Sequence, residues 1–507
     1  MFRVRHVLAV AAAAVAAAGG TISAAQAATH KVTINVVGID RTGAQVAVQS
    51  TVVPLAGNAL PSSGPKYSVT PGTYFIGTSV PTYSSGALVS QTIVERRVRV
   101  IRGATIRLDA RGGELVSVRL DGRDLGSPQV AGGCIRGGAG VVYPNPPAPQ
   151  LYVRPVKAKG LGFDWALATA GPSGSYYDLA GGTNNALPSS PVYRVHSSGL
   201  AKVVMQARAG TVPDQTANVD TSATLSDGCS LQGLQTPTQI PFRVVDHRTP
   251  GFWRTEVATR HNFGMTTCSD TWTYRRYAAR RSYLVSFENA AHGPSTAVPY
   301  VAGPSLYFDP NHQLIDPLTT GYEYCNVTNV RLSSGGHLLK KGRFTNLVGG
   351  FTARVRAGRR YTLTVNAAQT APHEVMPAGL LSPKTTITWR FKAGQGPVPV
   401  AVLAFLPLGL NIDNAARPGS LTYVRAWPTQ NNYQFAPGRA SAVRSFVAEV
   451  SSNNGKTWRK LRAVRHKGFW LFAVRNPKSG FVSLRATAIS SSGDTTIETI
   501  YRAYGIS

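Results

Sequence analysis

The segment Trp272-Thr273-Tyr274-Arg275-Arg276-Tyr277-Ala278-Ala279-Arg280-Arg281-Ser282-Tyr283 interleaves aromatic rings with arginines. Guanidinium groups pair with phosphate or carboxylate, and aromatic rings stack on sugars or bases. Along a strand, Trp272, Tyr274 and Arg276 share one face, while Arg275, Tyr277 and Arg281 share the other. Trp272, Tyr274, Arg275, Arg276, Tyr277, Arg280 and Arg281 are therefore the candidate polymer-binding residues. The plain alternative buries one aromatic face and leaves the arginines in water. Arg96-Arg97 and Arg359-Arg360 add positive charge without aromatics.

Residues able to catalyse are harder to assemble. His292-Gly293-Pro294-Ser295 followed by Asp309 is a faint His, Ser and Asp grouping, and no Gly-Thr-Ser turn follows it. Gly171-Pro172-Ser173-Gly174-Ser175 lacks the closing glycine of a nucleophile elbow. His373-Glu374 lacks the second histidine of a zinc peptidase, and no phosphate or dinucleotide glycine motif is present. Asp246 and His247 are adjacent, so on a strand they point to opposite faces. The sequence assigns no catalytic residue, no cofactor-binding residue and no metal ligand. Catalysis by residues distant in sequence escapes such a scan. Ser451-x-Asn453-x-Gly455-x-Thr457-Trp458 fits a hairpin-closing Asp-box pattern with Asn in place of Asp.

The four cysteines are Cys134, Cys229, Cys268 and Cys325, an even number expected to form two disulfides. Three connectivities are open; Cys134–Cys229 with Cys268–Cys325 is preferred because each pair then lies inside one expected domain. Residues 1–27 carry Arg3 and Arg5, an apolar run Val7–Ala18 and then Ala25-Gln26-Ala27. That order reads as a secretory signal peptide. Beyond it, no apolar run reaches the length of a membrane helix; the nearest, Pro397 to Ile412, is broken by Pro399 and Pro407. The expected location is extracellular, either released or held at the cell wall only by weak contacts.

Almost every periodic segment that would position these residues has period two. Val32, Ile34 and Val36 alternate with polar residues, as do Tyr361, Leu363 and Val365, and Ile387, Trp389 and Phe391. Between Phe481 and Ala488, Val482, Leu484, Ala486 and Ala488 face away from Ser483, Arg485 and Thr487. Half-buried antiparallel strands produce this pattern. The 51 glycines and 33 prolines suit many short strands joined by turns. The expected fold class is all-β, as tandem antiparallel β-sandwich modules. Expected boundaries are 28–123, 124–245 (Gly- and Pro-rich), 246–398 and 399–507. In the first module, Val69-Thr70-Pro71-Gly72-Thr73-Tyr74 and the strands around it resemble a transthyretin-like or carboxypeptidase-regulatory-like sandwich. The last reads as an immunoglobulin or fibronectin-III-like sandwich.

A wider resemblance rests on Val447-Ala448-Glu449-Val450-Ser451-Ser452-Asn453-Asn454-Gly455-Lys456-Thr457-Trp458, on Gly480 to Ala488, on Gly493-Asp494 and on Ile500-Tyr501-Arg502-Ala503-Tyr504. These look like the C-terminal accessory module of secreted subtilisin-family serine peptidases of high-GC Gram-positive bacteria. Tyr361 to Thr364, Trp389-Arg390-Phe391 and Pro191 to Val195 are similar to the region that follows the protease domain in that family. The catalytic domain itself is missing, so the resemblance implies accessory modules and not proteolysis. With 53 Lys and Arg against 23 Asp and Glu, the formal charge is +30. A surface of that sign attracts anionic cell-wall polymer, polysaccharide or extracellular nucleic acid, without implying specific nucleic-acid recognition. The expected function is non-catalytic binding of such a polymer. An exported hydrolase with an unrecognised site, and an accessory partner of a separate secreted peptidase, are the alternatives.

Overall fold

The computed structural model describes residues 30–507 except 62–63, 136–138, 145–147, 212–215, 225–234, 262–265, 296–297, 346–348, 371–377 and 430–442. The expected leader, 1–27, lies outside the described residues. The chain is all-β: among the described residues, strands account for the regular structure apart from two short 3-10 turns, Pro172–Gly174 and Ser197–Gly199. No helix among the described residues is long and apolar enough to cross a membrane.

The period-two pattern is what folds it. In strand Arg360–Gln369, Tyr361, Leu363, Val365 and Ala367 are buried while the intervening residues are not. Strand Gly480–Ser490 likewise buries Val482, Leu484, Ala486 and Ala488, with Ser483 between them buried as well. Most ladders are antiparallel, yet six strand pairs among the described residues are parallel. A parallel partner must come from a distant part of the chain, so local periodicity gives no sign of it.

Among the described residues, apolar side chains gather into five cores that interleave along the chain. Ile34, Val52, Ile76 and Leu108 centre the first; Ile93, Val118, Phe163 and Trp165 the second. Val203, Trp253, Val257 and Phe287 centre the third, and Leu306, Leu363, Ile387 and Trp389 the fourth. Phe405, Phe472, Leu484 and Tyr504 centre the last. The expected boundary at 123/124 falls inside strand Arg123–Gly126, which pairs with Ser117–Leu120. The one at 245/246 falls inside strand Phe242–Arg248, which pairs with Ala201–Ala207 beside the third core. That core draws on both sides of the expected cut, so the residues group differently in space than in sequence.

Cys268 and Cys325 are joined by a disulfide, the pairing preferred from sequence. Cys134 is buried and disulfide-bonded, while Cys229 lies outside the described residues.

The third and last cores meet at a buried polar joint. The Asn414 side chain accepts from the Ala290 amide at 3.0 Å and donates to the carbonyls of Ala209 (2.9 Å) and Glu288 (2.7 Å). Next to it, the Asn289 amide and side chain both donate to Asp316 at 3.0 Å. Glu288 and Ala291 hold φ angles of 55° and 69°, a left-handed conformation that costs about 1 kcal/mol or more for a residue with a Cβ. The joint holds that strained backbone in place. Asn414→Ala removes three hydrogen bonds at about 1 kcal/mol each and leaves the Ala290 amide and the half-buried Ala209 carbonyl without that partner, while the Glu288 carbonyl keeps Thr211 Oγ1 at 3.4 Å. We expect a loss of about 3 kcal/mol or more in denaturant unfolding, with the change confined to the midpoint and not the slope.

Candidate binding face

The aromatic and arginine segment lies in a five-stranded sheet ordered Gln235–Gln239, Thr216–Thr224, Gly251–His261, Thr266–Tyr277, Thr320–Glu323. Trp253, Thr255 and Val257 point inward and are buried, so Phe252, Arg254 and Glu256 point outward. Register then sets the outer neighbours. Phe252 lies opposite Arg276, Arg254 opposite Tyr274, and Glu256 opposite Trp272 on one side and Asp220 on the other. Asp270 lies opposite Tyr322. Gly321 makes that last approach possible, because a Cβ there would stand 2.2 Å from the Asp270 carbonyl oxygen.

Tyr274 is 55% exposed, and Arg275, Arg276, Arg280 and Arg281 are exposed. Trp272 and Tyr277 correct the sequence expectation, being only 6% and 1% exposed. Trp272 sits on the outer face as expected but is roofed by the Arg254 guanidinium, 5.0 Å from its ring, and flanked by Tyr322 at 5.4 Å. Tyr277 points inward, packing edge-on to Tyr283 at 4.9 Å and 5.3 Å from the Arg248 guanidinium. Neither ring can meet a polymer. Arg280 and Arg281 lie past the strand end, in a turn pinned by backbone bonds from the Arg280 amide to Leu200 and from the Lys202 amide to Arg281.

At the centre of the face, Glu256 and Asp270 share a side-chain hydrogen bond, and Arg254 is ion-paired with Glu256. Burial, then the bond to Asp270 and its charge, push the Glu256 carboxyl up to about 7. Asp270 is raised as well, by burial foremost. The pair thus holds a proton near neutrality, which lowers the negative charge between the arginines and the tyrosines. Tyr322 and Tyr324 continue the face with ring centres 6.1 Å apart, and burial with the nearby carboxyl groups pushes the Tyr324 hydroxyl up to about 12. Phe252, Arg254, Glu256, Asp270, Tyr322 and Tyr324 escaped the sequence scan. The alternation of Phe252, Arg254 and Glu256 was the available sign.

His292, Ser295 and Asp309 do not come together as a nucleophile and its base. His292 is buried with Nε2 3.4 Å from Glu288, and burial drives its pKa down to about 3, leaving it neutral. Asp309 instead faces His312 Nε2 at 3.5 Å, and the Ser295 amide bonds the His312 carbonyl at 2.8 Å. His312 Nδ1 stands 2.9 Å from the Gly321 carbonyl, to which it can only donate. The ring is clamped at both nitrogens and packs on Tyr322 at 4.8 Å, supporting the tyrosine end of the face. Asp246 is buried while His247 stacks on Tyr177 at 5.2 Å, the divergence expected of strand neighbours. The Asn-containing box closes a hairpin: Ser451 Oγ accepts from the Gly455 amide at 2.9 Å and Asn453 Oδ1 from the Thr457 amide at 3.0 Å.

No protein-family model matches the chain, and no curated protein matches it. Solved structures with some similarity include the FN1-FN3 domains of chicken CNTN1, at 11% identity over 59% of this chain and 99% of that one, with a TM-score of 0.14. The Bacillus anthracis TIE protein gives 8% identity over 70% and 68% of the two chains, with a TM-score of 0.14. Trypsin-activated alpha-2-macroglobulin from Escherichia coli gives 8% over 92% and 38%, with a TM-score of 0.17. At those scores nothing about this face transfers.

Glu256 titrates near 7 in the folded chain against an ordinary 4.5, so the folded state binds more protons across that window. Its contribution to stability therefore falls as pH rises from about 4.5 to about 7. Glu256→Gln removes the titration, and its melting temperature should decline less than the parent's over the same window. Parallel melting curves against pH would show that the pair holds no extra proton.

Proposed function

We propose that this chain is an exported, non-catalytic binding protein whose five-stranded sheet holds an anionic cell-envelope or extracellular polymer on its outer face. One observation carries this reading. Exposed Tyr274 and Phe252 lie diagonally across neighbouring strands with Arg254 and Arg276 as their cross-strand partners, and Tyr322 begins a second aromatic group further along the same face. Asp270, the partner of Tyr322, precedes Tyr274 by four residues, so the two aromatic groups are about 14 Å apart along the strand at ~3.4 Å per residue. A rigid strip of that kind suits a repeating polymer better than a compact ligand.

The chemistry divides along the strip. Arg276 on the face, with Arg280 and Arg281 just past the strand end, supplies bidentate donors for phosphate or carboxylate groups, whereas Arg275, opposite Trp253, lies on the other side of the strand and donates to the Leu284 carbonyl at 3.3 Å. The rings offer flat apolar faces to sugars, and the Glu256–Asp270 pair accepts hydrogen bonds from hydroxyl groups. The leader and the resemblance to accessory regions of secreted peptidases support the same reading, a set of modules exported for attachment.

Purified protein mixed with isolated bacterial cell walls tests it. Pelleting should be strong at about 50 mM salt, weak at about 500 mM, and lost once teichoic acid is stripped. Replacing Arg276, Arg280 and Arg281 with alanine should flatten the salt dependence. Tyr274→Ala should weaken binding by about 5-fold to 150-fold, the range given by a stacking contact of about 1–3 kcal/mol. Absence of pelleting at either salt would remove the proposal.

A further inference from the structure

The last core is enclosed by two sheets, and at one end of it lies a cavity of about 220 Å³. We propose that this cavity is a binding site for a single uronic acid residue of a carbohydrate, its carboxylate held by Arg459 and Arg475. The site belongs to a different core from the aromatic and arginine face and is argued independently of it.

Strand ends place the lining residues. Val443–Ser451, Arg459–Leu461 and Gly480–Ser490 belong to a nine-stranded sheet, and Phe469–Arg475 belongs to a four-stranded one. Arg459 is the first residue of its strand and Arg475 the last of its own, so each sheet contributes one arginine. Val450 lies opposite Arg459 in register, so both side chains leave the side of the sheet on which Val450 is buried. Val450, Val482 and Pro477 give the cavity apolar surface, and Ser452 and Thr457 add hydroxyl groups. The Thr457 hydroxyl accepts from Asn453 Nδ2 at 2.8 Å, which leaves its own hydrogen to donate.

The charge around this space has one sign. No Asp or Glu lines the cavity, and neither arginine is ion-paired among the described residues. Glu449, beside Val450, points to the other side of the sheet and is taken by Arg485 at 2.7 Å. Arg475 Nη1 donates to the Gly419 carbonyl at 3.0 Å, which steadies that side chain and spends one of its five donors. Two guanidinium groups with donors to spare select an anion, and a carboxylate matches their fork geometry.

Size and lining then choose among anions. One water needs roughly 10–15 Å³ of such space, so the cavity takes about 15 to 20 water-sized groups. Bare phosphate or acetate would leave most of it empty and the valines in contact with water. A hexuronate, with about 13 non-hydrogen atoms, fills it and offers each wall its complement. Its carboxylate meets the arginines, its hydroxyl groups meet Ser452 and Thr457, and its C–H face lies on Val450, Val482 and Pro477.

The test is ligand-observed saturation-transfer NMR on the full chain, titrated with methyl β-D-glucuronide. Methyl β-D-glucoside is the uncharged control and acetate the bare carboxylate. Saturable binding of the glucuronide is expected in the millimolar range, about tenfold or more tighter than either control. Arg459→Gln, at an exposed position with no hydrogen bond among the described residues, should weaken it about tenfold or more without disturbing the fold. Arg475→Gln should weaken it in the same direction. Replacing Arg276, Arg280 and Arg281 should leave glucuronide binding unchanged, so this site and the outer face can fail separately. No saturable transfer to the glucuronide, equal binding of glucoside or acetate, undiminished binding by Arg459→Gln, or loss of binding with the three face arginines would each overturn the proposal.

Discussion

A full positive charge sits at the centre of the third core with no surface in water: the guanidinium of Arg248. Burying an ion costs several kcal/mol unless partners replace its hydration. Here the replacement is shared among Asp246, the Thr255 hydroxyl, the Met205 sulfur at 2.8 Å and the faces of Trp253 and Tyr277. Those partners come from five positions on four strands, so the charge is satisfied only when all four strands are in register. Removing one partner leaves an uncompensated charge and not merely a missing contact. The strands that carry the outer face are therefore positioned by an electrostatic requirement on its inner side.

This explains why one sheet can carry two unlike surfaces. In strand Gly251–His261, Trp253 and Thr255 complete the arginine's surroundings while Arg254 and Glu256 form the face. Thr216–Thr224 repeats the division, with Val219 toward the core and Asp220 toward the face. A side-chain period of two makes each strand a shared wall. Rigidity required by the core is passed to the face without any residue serving both.

Much of this was legible in sequence, and the physical reasons for the gaps differ. All-β character followed from alternation, a property of single strands. The segment from Trp272 to Tyr283 was found because its residues are contiguous, yet the pattern could not say which aromatic face turned inward or that Arg254 would roof Trp272. The Glu256–Asp270 pair was invisible, since it exists only once two strands are set in register. The same holds for Asp178 and Asp246 beside Arg248, which meet through a parallel pairing. The Cys268–Cys325 pairing was preferred for proximity within an expected domain, and it formed although the boundaries drawn at 123/124 and 245/246 cut through strands.

That disulfide has a consequence for how the two ends of the face are held. Strand Thr320–Glu323 brings Tyr322 to the face through four cross-strand pairs, and Cys325, two residues beyond its end, is bonded to Cys268 on the neighbouring strand. An edge strand so short has little hold of its own. With the thiols reduced, the tyrosine end is held by those four pairs, by the Tyr324 amide on the Cys268 carbonyl and by His312 on the Gly321 carbonyl; oxidation converts it into a covalent part of the sheet. Under oxidising conditions the tyrosine end of the face is thus tied to the sheet more firmly than its hydrogen bonds alone would hold it, while the arginine end carries no such tie.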